Sequence, residues 1–474
     1  VGVLATIADD GFEAAAARFV AAAARELPED LATLAFASPL AVRSPDLSLL
    51  WHEGLRRLEP RRVTRAVLAA QLVESAKGFV RLLTTHRRFA WKAYGSQSGK
   101  LLVATAICGE ERDGVFVTPY VPTVSDDAVF VFGTTDRLAS GATPVRPMGF
   151  GEKLRIASRL AAAGARALRE AGGTARERVW LHSTWEAWSF GLAWLHDRYL
   201  DRALDDHLDA RTATAVGCIH EMHPYARVVW RVAAARGLER RAVQHAAVTE
   251  GKRWYFPQRE ELEAGLAVPD VLFAFDERVA ELLRPALTAT RFPPGCSGRY
   301  VGWKAAEPLV APGRCVLAAG ALARFENDTL LAAVARLVRD GSRLPVRVRL
   351  HPFADVSRAD RRRLASWERE GRVEVSRGVP LSDDLSDAAV VLGMGTTVLE
   401  EALLLGRPVV QLTDERYVRY VDVEGVSGAL VVDAGSFEAA DIERAADLAV
   451  DPAAVRASLG LDHPVVDYAR LFSG

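Results

Sequence analysis

The sequence predicts an α/β protein made of two Rossmann-like, doubly wound domains. Three observations carry that expectation. The 474 residues, half of them apolar, exceed one comfortable core. From residue 152 onward short apolar runs alternate with helical stretches, and a Pro-, Gly- and Ala-rich segment, GWKAAEPLVAPGR at 302–314, separates two such series. Strands alternating with helices imply right-handed crossovers and mainly parallel sheets. The expected division is an N-terminal domain over 1–301 with helical and β insertions, a linker over 302–314, and a C-terminal domain over 315–474.

Taken in order, Val3–Ile7 reads as a short buried strand, and Phe12, Ala16, Phe19, Val20, Ala23 and Leu27 recur at helical spacing. Residues 28–95 add helix with weaker strand signals. LLVATAICGEERDGVFVTPYV and DDAVFVFG are β-rich runs broken by Gly and Asp, the pattern of hairpins. A helix over 152–171 leads to strand VWLHS and to a helical region holding Trp180, Trp185, Trp188 and Trp194. Near-helical spacing of the last three favours core packing over a sugar-stacking platform. Strand TAVGCIHE, helix PYARVVWRVAAARGL and strand RRAVQHA follow, then a polar loop, strand DVLFAFDE and helix RVAELLRPAL. Beyond the linker come strand CVLAAGAL, helix DTLLAAVARLVRDG, strand PVRVRLHPF, a charged helix through 358–370 and strand VEVSRGV. The stretch VVLGMGTTVLEEALLLGRPVVQL, strand ALVVDAG and a closing helix complete the chain.

Composition narrows the partners. With 60 Lys plus Arg against 61 Asp plus Glu there is no global basic field for nucleic acid, so an anionic ligand must be held locally. Cys108, Cys218, Cys296 and Cys315 show no CxxC spacing, which fits free thiols in a reducing, cytoplasmic compartment. VGVLATIADDGFEAAAARFV has no basic leader, and no uncharged apolar run has membrane-spanning length, so at most peripheral membrane contact is expected.

In a doubly wound sheet, ligands bind outside the carboxyl ends of the strands. There the second half places Gly320, then Arg349, His351 and Pro352, then Gly393, Gly395, Thr396 and Thr397 at a helix mouth. Backbone N–H groups, hydroxyls and glycines in that setting make an anion site. Thr397-Val398-Leu399-Glu400 also has the form of a capping box, which would satisfy the helix itself.

RLHPF at 349–353 together with GMGTTVLEEALLLGRPVV at 393–410 resembles the C-terminal half of GT-B glycosyltransferases of bacterial surface-polysaccharide synthesis: capsule-type sialyl and Kdo transferases and CDP-glycerol glycerophosphotransferases. The resemblance covers about 160 residues. It implies two Rossmann-like domains facing across a cleft, a donor phosphate held by His351, Thr396 and Thr397, and a nucleotide ribose reached by Glu401. Gly320, Arg349 and Gly395 belong to the same expected nucleotide-binding set.

The first half, CIHEMHPYARVVWRVAAARGLERRAVQHAAVTEGKRWYFPQ followed by PDVLFAFDERVAELL, is similar to the same group, with Gln244-His245-Ala246 in place of its Gln-His-Gly or Gln-His-Ser. That likeness makes His245 the expected general base, and an imidazole titrating near neutrality suits the task. A histidine hydrogen-bonded at a strand end is the alternative. Asp10, in Ala8-Asp9-Asp10-Gly11, resembles the acidic motif that sialyltransferases of this fold use for their base, while Asp9 and Asp10 also fit as caps of a helix starting at Phe12. His220, Glu221 and His223 do not match the HExxH pattern and make only a loose ligand pair, so their role is acceptor-side or structural, and the resemblance implies an enzyme that works without a metal. Glu250, Lys252, Arg253 and Tyr255 either line the cleft or are solvated.

The expected function is transfer of a sugar, or a sugar-like alcohol phosphate, from a CMP-, CDP- or UDP-type nucleotide donor to a hydroxyl acceptor. That acceptor would be a glycan, a lipid-linked molecule or a small molecule, and no cofactor is expected. A nucleotide-sugar 2-epimerase-like enzyme and a noncatalytic nucleotide-sugar-binding subunit are the rival expectations.

Overall fold

The computed structural model describes residues 10–28 and, with short gaps, 76–171 and 193–466, together with residues 31, 34, 181 and 471. The strand expected at Val3–Ile7, Asp9, Cys108, most of VWLHS, Trp180, Trp185, Trp188, His220, Glu250 and Arg253 lie outside the described residues. The described chain forms two compact α/β units. One comprises Ile7–Ala246, Arg253–Arg299 and Pro464–Gly474; the other contains Ala247–Lys252 and Tyr300–His463. The described residues of the expected linker, 307–309 and 311–314, are docked within the second unit: Leu309 N–H donates to Leu405 O (2.9 Å) and Arg314 N–H to Asp387 O (2.7 Å).

The N-terminal unit begins with helix α1 (Asp10–Glu26). Asp10, the first described residue, is already helical, two residues before the Phe12 expected, and so lies within α1. Strands β1 (Phe89–Tyr94), β2 (Ser98–Thr105), β3 (Glu110–Arg112), β4 (Val115–Val117), β5 (Ala128–Thr134) and β6 (Thr143–Pro144) precede helices α2 (Phe150–Ala171) and α3 (Ala193–Asp209). Then come β7 (Thr212–Cys218), α4 (Pro224–Ala235), β8 (Glu239–Val243), α5 (Arg259–Glu263), β9 (Val271–Phe273) and α6 (Glu277–Leu283). The seven-stranded sheet has the order β6-β1-β5-β2-β7-β8-β9.

The hairpins expected over 101–121 and 126–133 are corrected here. Among the described residues only β3 and β4 form one; β2 pairs parallel with both β5 and β7 at the centre of the sheet. Burial on both faces explains the difference. Leu101 to Ala104 and Val129 to Phe132 are fully buried, so these strands are continuously apolar, as parallel central strands are, instead of alternating. Gly133 lets the next loop in, since an added Cβ would stand 2.6 Å from Ala106 Cβ. Helix α1 lies on α2, with Arg18 Nε donating to Ala171 O (3.0 Å). The chain end returns to this unit: Val466 N–H donates to Cys296 O (3.0 Å), and Val466 and Leu471 join its core. Trp194 is fully buried, as core packing requires.

The C-terminal unit runs β10 (Cys315–Ala319), α7 (Arg324–Asp340), β11 (Val346–Arg349), α8 (Arg358–Arg369), β12 (Glu374–Val375), α9 (Leu381–Asp387), β13 (Ala388–Gly393) and α10 (Val398–Leu404). It closes with β14 (Val409–Thr413), β15 (Ala429–Asp433), α11 (Ala439–Ala446) and α12 (Pro452–Ser458). All six strands are parallel in the order β12-β11-β10-β13-β14-β15. Counted from β10 this is the doubly wound order 3-2-1-4-5-6, and the direction of winding reverses between β10 and β13. Local chemistry sets the helix ends: Ser357 Oγ accepts Asp360 N–H (3.0 Å) to start α8, and Asp451 caps α12 with Pro452 at its first turn. The core joins Val316, Leu331, Val348, Val390, Leu392 and Phe437 across the sheet and its helices.

Candidate functional site

Register brings the predicted residues of the C-terminal unit to one edge. Ala319, Arg349 and Gly393 are level across β10, β11 and β13, and Gly393 is level with Gln411 on β14. Gly320, His351 and Gly395 therefore leave the sheet at the same end, around the switch point. Gly320 N–H donates to Arg349 O (2.8 Å), and an added Cβ there would meet Asn327 Oδ1 at 2.8 Å. A Cβ on Gly393 would stand 2.9 Å from Thr396 Cγ2. One on Gly395 would overlap the carboxylate of Glu326, a residue of α7 that is only 5 % exposed. At these glycines side chains approach so closely that an added Cβ would make the neighbour shift.

Three buried side chains that sequence reasoning misses hold this edge. Asn327 receives Ala321 N–H (3.1 Å) and donates to Ala321 O and Asp355 O (3.0 Å each), tying together the loops after β10 and β11. Gln411 donates to Met394 O (3.1 Å) and Val421 O (2.6 Å) and accepts Val423 N–H (3.1 Å). Glu326 brings a negative group to Gly395. A polar residue soon after an edge glycine, or inside an apolar strand, is the available signal for the first two.

The remaining predicted residues fall differently. Thr396 is buried and its hydroxyl accepts Val398 N–H at 3.4 Å, whereas Thr397, at the N-cap of α10, makes no side-chain cap hydrogen bond. The capping-box alternative for Thr397 and Glu400 is therefore not formed. Glu400 and Glu401 are both buried within α10. His351 is half-buried, its carbonyl accepting Ala354 N–H (2.9 Å). Arg349 points its guanidinium to Asp384 (2.6 Å) and Val379 O (2.8 Å), which balances its charge inside the unit.

In the N-terminal unit the same edge holds an ionisable cluster. His245 Nδ1 lies 2.6 Å from Glu221 Oε2, and Tyr255 Oη donates to Glu221 Oε1 at 2.5 Å. Glu221 is fully buried, while the His245 side chain keeps 12 % of its surface. Burial first, then the Glu221 charge and hydrogen bond, push the Tyr255 hydroxyl well above its ordinary range, so it stays a proton donor. Trp230 Nε1 donates to Glu221 O (2.9 Å), fixing the turn. The His223 ring sits 5.4 Å from that of His245. Gln244 accepts Phe275 N–H (2.8 Å) and anchors the strand end.

Tyr255 and Lys252 are buried rather than solvated, and Lys252 Nζ donates to Ala247 O. The Glu221–His245 pairing is legible only with the register in hand: each lies three residues beyond the aligned pair Cys218–Ala242 on adjacent parallel strands. Among the described residues no three His, Cys, Asp or Glu side chains gather as metal ligands. Among them, too, no helix is long and apolar enough to cross a membrane.

No protein-family model matches the sequence, and no curated protein matches it. Solved structures do. UDP-GlcNAc 2-epimerase from Methanocaldococcus jannaschii is 13% identical with a TM-score of 0.38, the match covering 56% of this chain and 82% of that one. The Neisseria meningitidis UDP-GlcNAc 2-epimerase bound to UDP-GlcNAc is 14% identical at a TM-score of 0.37, covering 56% and 81%. Anabaena Alr3699/HepE in complex with UDP and glucose is 11% identical at 0.38, covering 58% and 79%.

Proposed function

We propose that the chain is a glycosyltransferase-type enzyme of surface-polysaccharide or glycoconjugate synthesis. It moves a sugar, or a sugar-like alcohol phosphate, from a nucleotide donor to a hydroxyl acceptor, and it works in the cytoplasm without a metal. The C-terminal unit takes the nucleotide at its switch point, with His351, Thr396 and Thr397 serving the donor phosphate and Glu401 the ribose. The N-terminal unit supplies the base. Asp10, the rival base, opens α1, whereas His245 has a built partner.

The observation that carries this reading is the Glu221–His245 pair. A buried carboxylate on Nδ1 keeps a proton there, so Nε2 is the basic nitrogen, and the same carboxylate stabilises the imidazolium once a proton is taken. Tyr255 holds the other carboxylate oxygen and so fixes the orientation of the pair. For a sugar, the acceptor O–H gives its proton to Nε2 as its oxygen bonds to the anomeric carbon and the bond from that carbon to the donor phosphate oxygen breaks; for an alcohol phosphate the oxygen bonds to phosphorus and the phosphoanhydride bond to the nucleotide breaks. The departing charge is met by hydroxyls and imidazole. Such a displacement inverts an anomeric centre.

Glu326 favours a second reading, a nucleotide-sugar 2-epimerase-like enzyme, because it sets a carboxylate against Gly395 at the nucleotide edge. Melting curves with CMP, CDP, UDP and GDP identify the donor class, since a ligand of the native state raises the melting temperature. The matching nucleotide sugar is then incubated with and without hydroxyl acceptors. Acceptor-dependent release of nucleotide that is lost in His245→Gln supports transfer. A C2-epimeric product formed without acceptor supports epimerisation. Nucleotide binding with no turnover in any arm leaves a noncatalytic binding subunit and overturns both readings.

A further inference from the structure

The N-terminal unit contains a second feature, apart from the Glu221–His245 pair and the nucleotide edge. A cavity of about 600 Å³ opens at the carboxyl ends of β2 and β5, lined among others by Arg87, Arg88, Arg137, Thr105, Thr134 and Tyr225. Its frame is held by the backbone: Thr135 N–H donates to Arg88 O (3.1 Å), Arg137 N–H to Thr134 O (2.9 Å) and Ala106 N–H to Phe132 O (2.8 Å). The ring of His196 is fixed in its wall, edge-on to Phe132 at 5.1 Å. The volume is that of an ordinary small-molecule site.

The charges are unbalanced. All three arginines are exposed, and none forms a salt bridge among the described residues. Elsewhere in the chain some arginines do pair with a carboxylate, Arg349 with Asp384 and Arg236 with Asp205 and Asp209 among them. The one carboxylate on the lining, Asp136, is already served: the Thr134 hydroxyl, its own backbone N–H, and the Arg137 and Arg87 charges hold it below its usual range. Three arginines line the cavity against one satisfied carboxylate, on which Arg137 and Arg87 act, and leave a surplus of positive charge.

We propose that this cavity binds an oxyanion, a phosphate monoester or a carboxylate, carried by a small polyol or sugar. Guanidinium forks match both groups in planar, two-point geometry. The cavity also touches the residue next to the base cluster: Tyr225, on its wall, lies in the first turn of α4, whose N-cap is His223 beside His245. On the proposed transferase reading, on which this one step rests, the oxyanion belongs to the acceptor, so the acceptor is an anionic sugar or polyol phosphate. Binding itself does not depend on that reading.

The test is calorimetric titration of the full chain with glycerol 3-phosphate, with glucuronate and with glycerol. Saturable binding of one or both anions is expected, with none for the neutral glycerol. The arm that binds tells phosphate from carboxylate. In Arg87→Gln/Arg88→Gln and in Arg137→Gln the affinity falls roughly tenfold or more, the loss of a charge-assisted bond. Thr396→Ala/Thr397→Ala leaves it unchanged. Loss of anion binding in the threonine variant alone would place the anion at the C-terminal edge and overturn the proposal, as would absence of saturable binding in both anion arms. The nucleotide melting shift, retained in the arginine variants, shows that they are folded. It also separates the two readings: nucleotide without anion sinks this site, while anion without nucleotide sinks the transferase.

Discussion

At the carboxyl edge of the C-terminal sheet Gly320, Gly393 and Gly395 meet Asn327, Thr396 and Glu326, and the loops are tied by neutral amides. The equivalent edge of the N-terminal sheet is made of ionisable groups: Glu221, His245 and Tyr255 on one side, Arg87, Arg88 and Arg137 on the other. Both occupy the position where parallel strands deliver loops to a ligand. At the first, backbone and amides fix the shape through dipoles that no ordinary pH changes, and His351 and Glu326 are ionisable groups set into that cradle. A cluster of acids and bases sets protonation states and answers to pH and salt. On this difference, damage to the first edge is read as lost nucleotide binding and stability, and damage to the Glu221–His245–Tyr255 side of the second as lost chemistry.

The largest effect expected is on chemistry. His245→Gln lowers kcat by about 10²–10⁴, the usual contribution of a general base, while the nucleotide-induced melting shift stays at the wild-type value. Glu221→Gln follows in the same direction by taking away the group that fixes the imidazole. Steady-state kinetics with the donor found by the melting screen checks both. Equal loss of nucleotide binding and turnover in His245→Gln would erase the division between the two edges.

Next in size is a packing effect at the other edge. Gly395→Ala drives a methyl into the Glu326 carboxylate, and overpacking of this kind costs about 1–3 kcal/mol. Removing the obstacle in Gly395→Ala/Glu326→Ala restores most of the loss, a coupling that denaturant melts of the four proteins in the cycle measure directly. If the double variant is no more stable than the sum of the singles predicts, Gly395 is glycine for another reason.

What the amino-acid sequence makes legible follows from the same contrast. The C-terminal unit announces itself through local pattern: each strand is a short apolar run, helices begin near a Ser, Asp or Pro, and Gly320, Gly393 and Gly395 mark the edge by their place at the ends of those runs. In the N-terminal unit the decisive contacts are between segments far apart in sequence. Nothing near His245 in the chain points to Glu221, and β2 and β5 read as hairpins because a doubly buried strand loses the alternation that identifies strands. Asn327 and Gln411 escape notice for a related reason: a single polar residue in an apolar stretch shows its purpose only when the carbonyls it serves are in place.

A smaller effect belongs to Tyr255. Tyr255→Phe removes the hydrogen bond to a buried carboxylate oxygen and leaves Glu221 with one partner fewer, for a stability loss of about 1–2 kcal/mol at every pH where the carboxylate is ionised. Because burial and the neighbouring charge keep the hydroxyl protonated, wild-type activity shows no limb that belongs to this tyrosine as the pH is raised to about 10, the ordinary phenol value. A falling limb that vanishes in Tyr255→Phe would contradict that assignment.

The smallest effect tests the pH sensitivity of the charged unit away from its site. Asp270, just before β9, accepts Arg240 N–H (2.8 Å) and Arg240 Nε (2.9 Å). Burial alone would raise its carboxyl, but these hydrogen bonds and the Arg240 and Arg291 charges outweigh burial and hold it below the usual range. A carboxylate whose folded-state value is depressed adds stability above its unfolded value, about 3.9, and loses that stability as pH falls through the folded value. Asp270→Asn is therefore less stable than wild type at neutral pH, by under about 1 kcal/mol because the pair is partly solvated. The two melting curves converge as the pH is lowered below the unfolded value. The corresponding change in the C-terminal unit, Asn327→Asp, has a deficit that runs in the same direction with pH but has the opposite origin: it replaces a neutral buried amide with a carboxylate that loses two donor bonds, so the deficit is largest at neutral pH and shrinks as acid protonates the new group. Parallel pH–melting series on the two variants compare them by size, the buried Asn327→Asp change costing more at neutral pH than the partly solvated Asp270→Asn change.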